Sequence, residues 1–374
     1  MKAPIDDAVR ELKAVLAEHL PWQGARIGFL AHFLLALFKV RSVNLAELAT
    51  GFGGTVRVAS HYKRLQRFFR SFEMEPDAWA RLLVHLMPVG DGPWRLTLDR
   101  THWRFGQTDI NFLVLGIAYR GIALPVFWTV LGKPGNSNTA ERIALMERFL
   151  AVFGVRRIAV LLADREFVGE AWFRWLQAQQ IPFHQRIQCD TLVPNHWNRL
   201  MRIDALLGSL KPGQVYQLPG RRPVWGCFVH LSALRLENNE WLILATFGAP
   251  QEQAIEAHAG RWQVETLFGC LKTRGFNFED THLRDAPRLA KLMALLALAF
   301  VWSYRTGECL HDHIQPIPLK KPFSGPLSPS SGTALISSVI SSLTHPITHK
   351  HALSIAGIGS FSGGDAQGEH LNPL

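Results

Sequence analysis

The stretch VRRIAVLLAD, Val155–Asp164, sets an unbroken apolar run between a basic entry and an acidic exit. A run this short and this apolar, followed by a polar turn, reads as a buried or half-buried strand that carries a carboxylate at its C-terminal end. Upstream of it, Asn138 with Glu141 three residues later gives a capping-box-like start to ERIALMERFLAVFG, and Gly154 suits the helix stop. A crossover helix therefore feeds the strand. Downstream, EAWFRWLQAQQ reads as a second helix and IPFHQRIQ as a further strand. Working back toward the N-terminus, WRLTLD, INFLVLGIAY and GIALPVFWTVL are three strand-like runs. The last two are separated by Arg120-Gly121, a plausible tight turn, so an antiparallel meander is expected. The order is strand, strand, strand, helix, strand, helix, strand, which makes this an α/β chain.

Asp99 closes WRLTLD as Asp164 closes its own strand, and a strand end is a rigid place to hold a ligand. A third acid lies in HAGRWQVETLFGCLKTRGF, His258–Phe276, which reads as one helix. At about 100° per residue, Arg261, Glu265 and Lys272 share a stripe, with Trp262 beside it and Val264, Leu267, Phe268 and Leu271 on the apolar side. Any one of these acids alone is more simply a capped or ion-paired surface residue. Together, two aspartates on strands and a glutamate on a packed helix suit a two-metal phosphoryl-transfer site, because hard cations about 3.5–4 Å apart must share oxygen ligands. Glu166 and Asp109 compete as ligands. Arg261 and Lys272 are expected to bind phosphate, the first as a bidentate fork and the second as a point charge. Trp262 is a candidate platform for an unpaired base, with Trp225 or Trp241 as a partner.

Residues 1–88 read as all-helical. In SHYKRLQRFFRSF, cations including Arg64 and Arg67 alternate with aromatics, a pattern that suits a helix reaching DNA phosphates. Residues 89–189 form the first part of the catalytic core, and residues 190–248, with strand signals in VYQL, VWGCFVHLSALRL and EWLILATFG, make a β-rich insertion. Residues 249–305 return to helices and carry Glu265. Residues 306–374 are rich in Ser, Pro, Gly and His and are expected to be poorly ordered. Lys and Arg number 40 against 30 Asp and Glu, a formal charge of +10 that favours a polyanionic partner. The four cysteines are scattered without zinc spacing, which fits a reducing cytoplasm. The opening MKAPIDDAVRELKAVL reads as an amphipathic helix and not as a cleavable signal. LMALLALAFVW is shorter than the roughly 20 residues that span a bilayer, so a buried helix and no membrane partner are expected.

The segment DRTHWRFG at Asp99, the segment DREF at Asp164 and the spacing R-x3-E-x6-K on Arg261, Glu265 and Lys272 resemble the DDE transposases of the insertion sequence 4 family. The resemblance implies a ribonuclease H-like catalytic domain in which the first and fourth strands lie side by side, bringing Asp99 and Asp164 together. It also implies two divalent metal ions, Mg²⁺ or Mn²⁺, held by Asp99, Asp164 and Glu265. The implied partners are the terminal inverted repeats of the element and target DNA, with a dimer in the DNA complex and cut-and-paste transposition. The family signature begins with Tyr three residues before the arginine. This chain has His258 there, which can still donate to a phosphate. The Ser/Pro/Gly-rich tail departs from the helical, basic continuation common in the family. Two alternatives stand beside the transposase: a DNA-binding relic with an altered C-terminus, and a ribonuclease H-like nuclease that only hydrolyses.

Overall fold

The switch of periodicity at Trp94 is visible in the backbone. A computed structural model describes residues 4–313 of the chain, and the tail expectation for residues 314–374 lies outside the described residues. Five helices come before the switch: α1 (Pro4–His19), α2 (Gly24–Val40), α3 (Leu45–Gly51), α4 (Val58–Ser71) and α5 (Pro76–Leu86). Helix α2 is apolar around most of its circumference, and it sits at the centre of the bundle with Leu30, Phe33, Leu34 and Leu37 fully buried. Helix α4 is sharply two-faced. His61, Leu65 and Phe69 are buried, while Lys63, Arg64, Arg67 and Arg70 are exposed.

The sheet begins with the hairpins β1 (Trp94–Phe105), β2 (Thr108–Tyr119) and β3 (Ile122–Leu131). Arg120 (φ 41°) and Gly121 (φ 86°) make the β2–β3 turn with both residues in the left-handed region, the geometry that matches strand twist in a tight hairpin. Helix α6 (Thr139–Phe153) starts with the full reciprocal capping box. Asn138 Oδ1 accepts from the Glu141 N–H at 2.9 Å, and the Glu141 carboxylate accepts from the Asn138 N–H at 2.7 Å. Strand β4 (Ile158–Ala163), helix α7 (Glu170–Ala178) and strand β5 (Phe183–Ile187) follow. Then come β6 (Leu192–Pro194), β7 (Leu200–Arg202), α8 (Ile203–Leu206), β8 (Val215–Val224), β9 (Cys227–Arg235) and β10 (Trp241–Phe247), and last α9 (Ala254–Ala259), α10 (Gln263–Leu271) and α11 (Ala286–His313).

Eight strands form one sheet in the order β3-β2-β1-β4-β5-β10-β9-β8. Strand β1 runs antiparallel to β2 and parallel to β4, so the first and fourth strands are neighbours. The stretch 190–248 holds β6 to β10, and its three long strands extend the same sheet through the antiparallel pair β5–β10. Only β6 and β7 stand apart as a small ladder. Both edges carry proline, Pro125 on β3 and Pro219 and Pro223 on β8. A residue without an N–H is tolerated there, and it blunts further pairing.

Helix α11 ties the bundle to the sheet. Trp79 Nε1 of α5 donates to the Ala294 carbonyl at 3.0 Å, Trp128 Nε1 of β3 donates to the Ala290 carbonyl at 3.1 Å, and Lys291 Nζ donates to the Phe69 carbonyl of α4 at 3.0 Å. The segment Ala286–Glu308 is long and apolar enough to cross a membrane, yet Leu292 through Val301 are buried against protein. This helix also corrects the expected loss of structure after Arg305, since it continues to His313.

Candidate active site

Two side chains are brought together by the parallel ladder. Leu98 of β1 pairs with Ala163 of β4, so Asp99 and Asp164 are the next residues on neighbouring strands. Asp99 is not a strand end. Its strand continues to Phe105 in antiparallel register with β2, and Asp99 lies opposite Val114. What ends at this point is the pairing with β4, and that leaves the Asp99 carboxylate facing the mouth where the chain leaves β4. The turn after β4 is held by Asp164 itself, whose Oδ1 accepts from the Arg165 N–H at 2.8 Å. Asp99 Oδ1 accepts from the Arg100 N–H at 2.7 Å in the same way.

The third acid arrives on a helix tightened partway along. The expected single helix over 258–276 is α9, a 3₁₀ turn at Gly260–Trp262, and α10 ending at Leu271. Arg261 lies on the tight turn and points inward, its side chain 6% exposed. Its Nη1 lies 3.0 Å from Asp99 Oδ2, and its Nη2 lies 3.2 Å from Glu265 Oε1 and 3.9 Å from Asp164 Oδ2. One guanidinium thus touches all three acids, while its Nε is buried without a partner. Burial pushes the Asp99 carboxyl up to about 6. The Arg100 N–H and the Arg261 guanidinium oppose this, and the Glu166 and Asp164 carboxylates add to it.

The other expected site residues fare differently. Lys272 is off the Arg261–Glu265 stripe, because the helix has ended and Lys272 is its C-cap. Its Nζ pairs with Glu279 at 2.8 Å, donates to the His102 carbonyl at 3.3 Å and lies over the Trp103 ring. His258 is 3% exposed, with Nε2 at 3.3 Å from the Ala163 carbonyl, and burial lowers its pKa to about 4. A neutral imidazole turned into the fold does not face a phosphate, which corrects the expectation placed on it. Trp262 is 51% exposed, with the Arg261 guanidinium over its ring. Trp225 packs edge-on to Phe173 in the β8–β9 turn. Trp241 lines a cleft of about 410 Å³ beside Asp164, together with Arg165, Arg186, Arg202 and Glu240. Arg64 and Arg67 are exposed on α4, outside this cluster.

Neither competing acid joins the three. Asp109 pairs with His102 at 3.0 Å across β1 and β2, and Glu166 pairs with Arg100 at 3.2 Å rather than with Arg165. Three arginines escaped the sequence reading. Arg186 approaches Asp164 Oδ1 at 3.7 Å, Arg100 bridges Glu166 to Asn111 and Asn136, and Arg142 holds the turn after Asp164. An arginine inside an otherwise apolar strand or helix face was the available signal. Among the described residues no three His, Cys, Asp or Glu side chains stand as a metal-ligating group, since a guanidinium lies between the acids. The converging donors are carboxylate oxygens, the kind that suits Mg²⁺ or Mn²⁺. A hard cation among them would have to displace the guanidinium.

A family model described as "Transposase DDE domain" matches residues 90–302. No curated protein matches the chain. Among solved structures, the chain is similar to a piggyBac transposase synaptic complex with hairpin DNA, at 12% identity and a TM-score of 0.44 over 93% of this chain and 78% of that one. It is also similar to human ENDOV, at 16% identity and a TM-score of 0.25 over 65% of this chain and 97% of that one.

Proposed function

Because the chain belongs to the transposase DDE domain family, we propose that it is a cut-and-paste transposase of the insertion sequence 4 type, cleaving and joining DNA strands at the ends of its own element. The observation that carries this reading is the meeting of Asp99, Asp164 and Glu265 at one point, from β1, the end of β4 and α10. Asp99, Asp164 and Glu265 would hold two divalent cations. Such cations, when bound, supply an activated water or 3′-hydroxyl and neutralise charge on the transferred phosphoryl oxygens.

The chain's own side chains do the rest. Arg261 grips a phosphate of the cleaved strand through its planar fork, and Lys272 adds a point charge once DNA competes for it with Glu279. Trp262 offers an exposed ring to an unpaired base. The exposed cations of α4, Arg64 and Arg67 among them, bind the inverted repeats, with the apolar face of the helix fixed in the bundle. Two copies act in the DNA complex. The five N-terminal helices serve as the DNA-binding domain, and the protein works in the cytoplasm on the nucleoid.

The test is strand cleavage with Mg²⁺ or Mn²⁺ on a duplex carrying the element's terminal inverted repeat. Asp99→Asn and Asp164→Asn should each abolish cleavage, while binding the ends as the parent does when divalent cation is left out. Cleavage retained by either variant removes that aspartate from the reaction, and loss of end binding in both assigns the cluster to folding instead.

A further inference from the structure

The ion pairs of Arg261 pose a problem for a cation-binding site. Asp99, Asp164 and Glu265 already have a positive group among them at 3.0, 3.9 and 3.2 Å. A guanidinium and a divalent ion cannot share that space, and each would repel the other at such separations. The guanidinium is nevertheless incompletely served where it sits. Its Nε is buried with no acceptor, and a buried N–H left unpaired is a standing cost that another location could remove. The residue also stands on the 3₁₀ turn between α9 and α10, a local tightening of the helix, next to the exposed ring of Trp262, which gives the guanidinium a face to slide along toward solvent. Arg186 at 3.7 Å from Asp164 would stay behind.

We propose that Arg261 is a displaceable internal counter-ion: without DNA it occupies the centre of the three acids and suppresses cation binding there, and a DNA phosphate draws it away, so that DNA and the divalent cation bind cooperatively. The inference rests on the reading of the three acids as cation ligands and adds the coupling between the two ligands. A phosphate offers the guanidinium a bidentate partner in exchange for acids that a cation then neutralises. Each ligand removes an obstacle to the other, and by linkage the two affinities must rise by the same factor.

The experiment measures Mn²⁺ binding to the full chain by the electron paramagnetic resonance signal of free Mn²⁺. It is run with and without a short random-sequence DNA duplex at low salt, in the parent, Arg261→Gln, Arg261→Lys and Asp99→Asn. Asp99→Asn sets the background from ions held by DNA itself. The parent should bind Mn²⁺ at least about tenfold more tightly with DNA than without. Arg261→Gln should bind it without DNA about as tightly as the parent does with DNA. Arg261→Lys, which keeps the charge on a narrower reach, should fall between. If Arg261→Gln binds Mn²⁺ no better than the parent in the absence of DNA, the counter-ion role is refuted. If the parent and Arg261→Gln both match Asp99→Asn with and without DNA, the ligand reading beneath it fails instead. A reciprocal measurement needs no variant and so is immune to a folding defect. At constant ionic strength Mn²⁺ should tighten DNA binding to the parent by the same factor, and no tightening overturns the coupling.

Discussion

Arg142 is buried at 5% exposure and spends its guanidinium on the backbone beside the acids. Nε donates to Ser137 Oγ, Nη2 to the Ser137 and Glu166 carbonyls, and Nη1 to the Val168 carbonyl. It therefore clamps the turn that leaves Asp164 against the loop that leads into α6. Arg142→Ala leaves one buried carbonyl, of Ser137, and two half-buried ones, of Glu166 and Val168, without this donor, at roughly 1–3 kcal/mol each, partly offset by water entering the gap. The net loss should be about 3–5 kcal/mol. At about 2 cal/mol/K per residue over a folded body of roughly 300 residues, that is a fall in Tm of about 5–8 °C. Urea and thermal unfolding followed by circular dichroism read both values, with the midpoint compared at fixed m. Arg142→Lys should recover only part, since one ammonium cannot meet three carbonyls and a hydroxyl held in a plane. A loss below about 1 kcal/mol for Arg142→Ala would show that the clamp is dispensable and that the turn is set by β4 and α7 alone.

Three other outcomes follow from particular contacts. His184 is buried against Thr246 Oγ1, and burial first, then Arg95, lowers its pKa from 6.5 to about 4. Its folded pKa is depressed, so the unfolded chain takes up the proton first; stability is whole above about pH 6.5, is lost progressively toward pH 4, and should drop by about 2 kcal/mol between pH 7 and pH 5. Urea midpoints at the two pH values should show a drop smaller by that amount in His184→Gln than in the parent, since His258 and Asp99 titrate in both. Arg64→Ala and Arg67→Ala should weaken DNA binding uniformly across sequences and reduce the slope of log K against log salt by roughly 1 each, and unchanged slopes would move the phosphate contacts elsewhere. A methyl group at Gly116 would stand 3.0 Å from the Leu124 carbonyl and 3.3 Å from Thr97 Oγ1, between fixed strands. Gly116→Ala should cost about 1–3 kcal/mol in unfolding free energy, and a neutral result would mean that β2 and β3 slide apart freely.

Local chemistry was legible in the sequence. Asn138 and Glu141 announced the start of α6, and Arg120-Gly121 announced the β2–β3 turn. The apolar runs announced each strand from β1 to β5 in order, since caps, turns and side-chain period are set by neighbours within four or five residues. The three acids could be picked out by motif and resemblance for the same reason, each being read within its own segment. Partners far apart in the chain decided the rest. Pairing with β2 carries β1 past Asp99 to Phe105, and pairing of β10 with β5 makes the insertion strands part of the main sheet. The 258–276 helix tightens into a 3₁₀ turn at Gly260–Trp262 and ends at Leu271, and His258 turns toward the Ala163 carbonyl. Arg261 could be placed beside Glu265 by helical spacing, but its contact with Asp99 spans 162 residues of sequence. Periodicity says which face a side chain takes; only the assembled sheet says what stands opposite, and there a single guanidinium meets three carboxylates that the sequence could name but not bring together.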